Sequence, residues 1–119
     1  MVECYAAITE GAPVPNQALD WLMHFPGGAV HVVVTRAKPP GLVAEPRIAK
    51  PALEAKCLRA VDNLPLHGIV VLHASGRIGP GQPLLVVGAA ADHRAEAFEA
   101  VQRLMTAMRG VSQRRDVLA

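Results

Sequence analysis

The sequence predicts an α+β fold, a two-layer sandwich in which helices pack on a mainly antiparallel sheet. Short apolar segments rich in β-branched residues alternate with segments whose apolar residues recur at helical spacing. The last two apolar segments are separated by a short glycine-rich connection, which is typical of an antiparallel hairpin. The resulting order, strand-helix-strand-helix-strand-strand-helix, favours one sheet covered by helices. A chain of 119 residues has the length of one domain, which we expect to cover residues 1–119.

The first half of the chain predicts two strands and a short helix, followed by a long connection. Residues 2–8 form a β-prone segment, and residues 16–24 repeat apolar side chains at helical spacing until a Pro-Gly-Gly run ends the helix. Residues 29–35 are β-branched enough for a buried strand, in which His31 is expected to be a core residue. Residues 36–46 contain three prolines and a glycine, so we expect an irregular, mobile connection.

The second half predicts a helix, a hairpin and a final helix. Pro51 suits the first turn of a helix that Asn63-Leu64-Pro65 stops. Residues 68–74 and 83–91 are apolar strands, and the glycines of residues 75–82 indicate a turn between them. Asp92 is the expected N-cap of the last helix. Its apolar face repeats at helical spacing and consists of Ala97, Phe98, Val101, Leu104, Met105 and Met108.

Composition argues against several classes of protein. The formal net charge is only +2, and one Trp, one Tyr and two Phe offer few stacking surfaces, so nucleic-acid binding is not expected. No apolar run approaches the ~20 residues of a membrane span, and the opening residues lack a basic, then apolar, leader. We therefore expect a cytoplasmic protein. Cys4 and Cys57 lack metal-ligand spacing, so we expect small buried side chains and neither a metal nor a cofactor.

The start of the last helix is the first candidate site, because His93 and Arg94 stand there together. Free N–H groups and the positive end of the helix dipole favour an anion, and an arginine adds bidentate hydrogen bonds. The alternative is an exposed helix start without a ligand. Arg77 in the glycine-rich connection is a further cation, for which a solvated turn residue is the simpler interpretation.

A second candidate is the cationic run after this helix, which includes Arg109, Arg114 and Arg115. Cations in and after the last helical turn are expected in any protein, because they complement the negative end of the helix dipole. A binding role and this simpler role both remain open from the residues alone.

One stretch of the chain resembles a known family. A run of the type His-x-x-Gly, then Gly, then a strand and His-Arg-x-x-Ala-Phe appears here as residues 73–78, Gly81 and residues 93–98. This pattern resembles the large, catalytic subunit of molybdopterin synthase. The resemblance implies an α/β hammerhead type of α+β fold.

The resemblance also implies roles for individual residues. The family carries two catalytic lysines, and these correspond to Arg109 and, after a short deletion, Arg114. A guanidinium can bind phosphate or a carboxylate, but it does not lose its proton near neutral pH as a nucleophile or base must. His93 and Arg94 would bind the substrate phosphate across a dimer interface. The family's loop arginine corresponds to Lys38 or, with a shift, to Arg36.

The implied reaction is sulfur transfer in molybdenum cofactor biosynthesis. A small ubiquitin-like carrier, with a thiocarboxylate at its Gly-Gly tail, would donate sulfur to cyclic pyranopterin monophosphate and form the molybdopterin dithiolene. A homodimer with a carrier at each end, a heterotetramer, is implied. Because arginines replace the lysines, the competing hypothesis is a non-catalytic paralogue that keeps dimer and carrier binding. A small-ligand sensor unrelated to molybdenum is a third hypothesis.

Overall fold

Six strands and three helices make up the part of the chain that the structure describes. The computed structural model describes residues 1–112 and the backbone of residues 114–116. The elements, in chain order, are β1 (Glu3–Glu10), α1 (Pro15–Leu22), β2 (Ala29–Arg36), β3 (Leu42–Ala44), α2 (Lys50–Ala60), β4 (Leu66–Ile78), β5 (Pro83–Ala91), α3 (Arg94–Met108) and β6 (Arg114–Asp116). The predicted α+β fold class and the three predicted helices are confirmed.

The strands form one open sheet that is mainly antiparallel, as the sequence predicts. Its order is β2-β5-β4-β3-β6, and β1 pairs with β4. The β1–β4 pair is parallel, whereas the other four pairs are antiparallel. The β4–β5 hairpin therefore lies at the centre of the sheet. β2 pairs with β5, and Ala29 lies opposite Ala91.

The two hairpin strands are buried on both faces because helices cover both sides of the sheet. On one side α1 packs Ala18 and Leu22 against alternate residues of β4 and β5. On the other side α2 and α3 pack against the intervening residues, and their buried side chains include Leu53 and Leu104. Strands buried on both faces need continuous apolar sequence, and residues 69–72 of β4 are all fully buried. The division of the helices between two faces was not predicted from the sequence.

An aromatic group closes the α1 side of the sheet. The Trp21 ring lies 5.6 Å from the Tyr5 ring and 4.9 Å from the Phe25 ring, between ring centroids. Gly68 makes room for this group, since a Cβ at that position would lie 2.5 Å from Cε2 of Phe25. A side chain at position 68 would therefore force the Phe25 ring to move.

The start of α3 differs from the prediction in its cap. The N-cap residue is His93, not Asp92, and its side chain makes no capping hydrogen bond. The Asp92 carboxylate instead accepts a 2.8 Å hydrogen bond from Nε2 of His67. The prediction of Asp92 as the cap was wrong because a residue distant in the sequence, at the start of β4, competes for its side chain.

The predicted apolar face of α3 is buried except at Met105, which is half buried, and at Phe98. Ala97, Leu104 and Met108 are at most 1% exposed, whereas Phe98 is 52% exposed. Its ring contacts the half-buried His31 on β2 with a centroid distance of 4.3 Å. His31 is thus a contact of the helix with the edge strand and is less buried than a core residue.

The expected loop over residues 36–46 contains a short strand. β3 pairs Leu42 with Ile78 and Ala44 with Gly76, so this part of the prediction was wrong. The reason is that β4 runs on to Ile78, so the hairpin turn consists only of residues 79–82. The backbone of residues 76–78 is then extended and pairs with residues 42–44. Arg77 accordingly lies on β4 and not in the turn.

No helix among those described is long and apolar enough to cross a membrane. The longest, α3, has 15 residues.

Truncating Leu104 to alanine should destabilise the fold strongly. Leu104 is fully buried between α3 and the sheet, so the change leaves a cavity and should lower the free energy of unfolding by about 2 to 5 kcal/mol. The matched control is Gln102→Ala on the exposed side of the same helix, expected within about 0.5 kcal/mol of the parent. Denaturant unfolding followed by circular dichroism measures both. Equal effects of the two changes would contradict the assigned core.

Candidate functional site

A cavity of about 330 Å³ lies where the end of α3 meets the sheet. It is lined by side chains from the end of β2, the start of β5, the last turn of α3 and the segment that follows: Thr35, Leu85, Met105, Met108, Arg109 and Ser112. Leu85 and Met108 are at most 4% exposed and form an apolar floor. Thr35, Arg109 and Ser112 are thus the polar residues in the wall of a largely apolar cavity.

Arg109 is the exposed cation of this cavity. It is the C-cap residue of α3, with helical backbone angles, so the helix fixes where its side chain begins. Within residues 1–112 it forms no ion pair. An unpaired guanidinium beside an apolar floor can take a phosphate or a carboxylate in a bidentate hydrogen bond. The structure thus places the predicted Arg109 in a pocket.

A serine-histidine pair borders the same cavity. Nε2 of His73 lies 2.7 Å from Oγ of Ser112, and Nδ1 lies 2.7 Å from the carbonyl oxygen of Ala74. A carbonyl oxygen only accepts, so Nδ1 carries a proton; in the neutral ring Nε2 then accepts the proton of the Ser112 hydroxyl. His73 is 3% exposed, and Ser112 is half buried.

Sequence reasoning did not identify this pair as functional. In the sequence-based prediction His73 is only the first residue of the family pattern. Ser112 lies 39 positions later in the chain. Thr35 was also missed: its Oγ1 is buried and has no hydrogen-bond partner among the described residues. The signal that could have pointed to His73 is a histidine inside an otherwise apolar strand.

Arg36 and Lys38 meet at a second cavity, of about 420 Å³. It lies between the chain that leaves β2 and the hairpin turn, and its wall includes Pro80 and Gly81. Two backbone hydrogen bonds hold this chain to the turn, from Ala37 N–H to the Gln82 carbonyl at 2.9 Å and from Gly81 N–H to the Ala37 carbonyl at 2.7 Å. Because Arg36 directly follows Thr35, both cavities lie at the same end of β2.

The structure places His93 and Arg94 far from these groups. They stand at the start of α3, whereas Arg109 follows its last residue. With a rise of about 1.5 Å per residue, the Cα atoms of Arg94 and Arg109 are about 22 Å apart. One copy of the chain therefore does not bring the two predicted groups together. The side chain of Arg114, the other predicted catalytic residue, lies outside the described residues, and only its backbone in β6 is described.

Asp92, which precedes His93, is held by two hydrogen bonds, one to its carboxylate from His67 and one to its backbone carbonyl from Gly28. The carbonyl oxygen of Asp92 accepts the N–H of Gly28 at 3.2 Å. The pKa of the Asp92 carboxyl is held below its usual value, first by the hydrogen bond from His67 and also by the charge of His67 when protonated. Arg94 itself has no ion-pair partner in residues 1–112, so its guanidinium is available to an anion.

The prediction of buried cysteines is confirmed for Cys57 and not for Cys4. Cys57 is fully buried and Cys4 half buried, and both are free thiols. Burial raises the pKa of Cys57 to about 12 and that of Cys4 to about 11. Thiolates are the reactive form, so neither residue is suited to nucleophilic or redox chemistry at neutral pH. Over the described part of the chain, His, Cys, Asp and Glu side chains form no group of three that could hold a metal.

Comparison with solved structures shows where this fold occurs. A molybdopterin biosynthesis MoaE protein from Burkholderia ambifaria superposes with a TM-score of 0.79 over 97% of this chain and 91% of that one, at 19% identity. A complex of subunits 1 and 2 of molybdopterin-converting factor from Helicobacter pylori gives a TM-score of 0.70 over 87% of this chain and 76% of that one, at 18% identity. The two TM-scores establish a shared fold.

Sequence comparison gives closer relatives over a shorter stretch. The molybdopterin synthase catalytic subunit of Mesorhizobium japonicum is 44% identical over 66 residues, which are 56% of this chain and 38% of that protein. The subunit of the same name from Cereibacter sphaeroides is 40% identical over 60 residues, 50% of this chain and 41% of that protein. The matched stretches therefore span about two fifths of these relatives. The family model of the MoaE protein matches residues 40–110, more than half of the chain, which therefore belongs to the MoaE family.

Proposed function

We propose that this protein is the catalytic subunit of a molybdopterin synthase. It would transfer sulfur from the carboxy-terminal thiocarboxylate of a small ubiquitin-like carrier to cyclic pyranopterin monophosphate, forming the molybdopterin dithiolene. Family membership and the names of the relatives support this reaction. The observation that carries the proposal is the cavity at the end of α3, where Arg109 stands beside an apolar floor and forms no ion pair with residues 1–112. The resemblance assigns a catalytic lysine of the family to this position.

Both reactants suit the charges around this cavity. The carrier tail ends in an anionic thiocarboxylate, which Arg109 would hold by charge-assisted hydrogen bonds. The pterin brings a flat ring system for the apolar floor and a phosphate for cationic side chains. Arg36 and Lys38, exposed at the same end of β2, would add positive charge near the entering anions. Arg114 would contribute from β6, as the second lysine position of the family.

A complete site would need two copies of the chain. His93 and Arg94 lie about 22 Å from Arg109 along α3, too far for one small substrate to touch both within one copy. In a homodimer, His93 and Arg94 of one copy would bind the phosphate of the pterin held at Arg109 of the other. With one carrier at each end, the assembly is a heterotetramer. The solved Helicobacter pylori complex contains two kinds of subunit, which supports a small partner here. A cytoplasmic location stays a prediction.

The second candidate function is a non-catalytic paralogue that binds the carrier and forms the dimer without turnover. The arginine at position 109 favours it, because a guanidinium supplies charge but no proton-accepting amine. The two candidates make the same binding predictions and differ only in product formation.

Sulfur transfer should be detected in a single turnover. We expect the protein, mixed with thiocarboxylated carrier and cyclic pyranopterin monophosphate, to form dithiolene product well above a control without protein. Arg94→Ala should abolish pterin binding, measured by calorimetry, because it removes the bidentate phosphate contact. Arg59→Ala, an exposed arginine of α2, is the matched control and should bind as the parent does. Unchanged affinity of Arg94→Ala would remove the phosphate role.

Mixing two inactive variants should restore activity if the site is shared between copies. Arg94→Ala and Arg109→Ala each damage a different half of the same site. After subunit exchange, half of the dimers are mixed and each mixed dimer has one intact site, so about a quarter of the parental activity should return. Size-exclusion chromatography confirms that the dimers exchange and persist. A mixture as inactive as its components would contradict a shared site.

Restoring lysine separates the enzyme from the paralogue. If the arginines support turnover, Arg109→Lys combined with Arg114→Lys should leave the rate of sulfur transfer within a few-fold of the parent. A gain of 100-fold or more, roughly the scale of general acid-base catalysis, would instead mark the parent as having lost this chemistry. Arg59→Lys, the same exchange at an exposed position of α2 outside the site, is the control for nonspecific effects.

A further inference from the structure

Sulfur transfer requires a proton acceptor that Arg109 does not supply. When the thiocarboxylate sulfur bonds to a pterin carbon, carrier and pterin become joined through a thioester. The sulfur stays on the pterin only after the bond between sulfur and the acyl carbon breaks, and water must replace sulfur on that carbon. A water molecule attacks efficiently when a base takes its proton, and a guanidinium stays protonated.

The cavity beside Arg109 contains a group with the required geometry. The Ser112 hydroxyl is part of the cavity wall, and it lies 2.7 Å from Nε2 of His73. The 2.7 Å contact from Nδ1 of His73 to the Ala74 carbonyl fixes the ring so that Nε2 faces the hydroxyl as an acceptor. A hydroxyl bonded to the acceptor nitrogen of an oriented histidine is the arrangement that moves protons in acyl transfer.

We propose that Ser112 and His73 release the carrier by relaying a proton from the attacking water, with Ser112 contacting the water and His73 acting through it. This inference rests on the proposed sulfur transfer. Thr35 borders the same cavity, and its buried Oγ1 has no hydrogen-bond partner among the described residues. Arg109 stands on the same wall, where its charge stabilises the oxyanion that forms on the acyl carbon.

The step balances as a hydrolysis. The water oxygen bonds to the acyl carbon, and one water proton passes to Oγ of Ser112 while the hydroxyl proton of Ser112 passes to Nε2 of His73. The electron pair of the broken carbon–sulfur bond leaves with sulfur, which remains on the pterin as a thiolate. The carrier departs as a carboxylate after its remaining acid proton goes to solvent. Protonated His73 then returns its proton to the thiolate or to solvent.

The test is to follow the carrier–pterin adduct by intact mass in single-turnover reactions of the full chain. Ser112→Ala should leave adduct formation at the parental rate and slow product release by about 100-fold, so that adduct accumulates. Ser112→Thr keeps a hydroxyl and should restore release. Thr106→Ala removes an exposed hydroxyl from α3 and is the matched control. His73→Gln, checked for folding by circular dichroism, should accumulate adduct as Ser112→Ala does.

The outcomes separate this proposal from the proposed function. If Ser112→Ala releases product at the parental rate, or if it slows adduct formation without accumulation, the proton relay is wrong and the pair is structural. If the parent forms neither adduct nor product, the sulfur-transfer function fails. In that case hydrolysis of a synthetic peptide thioester ending in Gly-Gly decides on the relay alone: faster hydrolysis by the parent than by Ser112→Ala supports it, and equal rates overturn it.

Discussion

Burial of the β4–β5 hairpin on both faces is the constraint on which the rest of this structure depends. The two strands pair along most of their length, and their side chains alternate between the α1 side and the side of α2 and α3. Because α3 must lie along this hairpin to cover it, both ends of the helix are fixed relative to the sheet. The rise of the helix sets the distance of about 22 Å between Arg94 and Arg109, and the packing of α3 on the hairpin fixes where each end lies relative to the sheet.

The same constraint places a histidine beneath the cavity. His73 belongs to the buried run of β4, and its ring is accommodated because both nitrogens have hydrogen-bond partners, at Ala74 and at Ser112. A buried imidazole without partners would cost free energy, so the chain after α3 is drawn toward the sheet by this contact. One interaction thus links the core, the end of α3 and the wall of the candidate site.

The charged side chains that line the two cavities of the candidate site, among the described residues, are all cations. Arg36, Lys38 and Arg109 form no ion pairs within residues 1–112; the first two line the cavity at the end of β2, and Arg109 lines the cavity at the end of α3. Cations left unpaired in this way attract anions and bind them with little reorganisation. This arrangement fits both anionic reactants of the proposed reaction. Arg109 can supply the charge that the resemblance assigns to a lysine, and a different group then has to accept the proton of the attacking water.

The sequence by itself determined the α+β class, the mainly antiparallel sheet, the three helices and the family, because hydrophobic periodicity and the motif between His73 and Phe98 are local patterns. It also pointed to Arg109, which lies in a pocket. Only the tertiary structure decided that Asp92 pairs with His67, that residues 42–44 form a strand, and that His73 meets Ser112. Each of these depends on groups 25 or more positions apart in the chain, and the burial and hydrogen-bond competition between them appear only when the sheet brings them together.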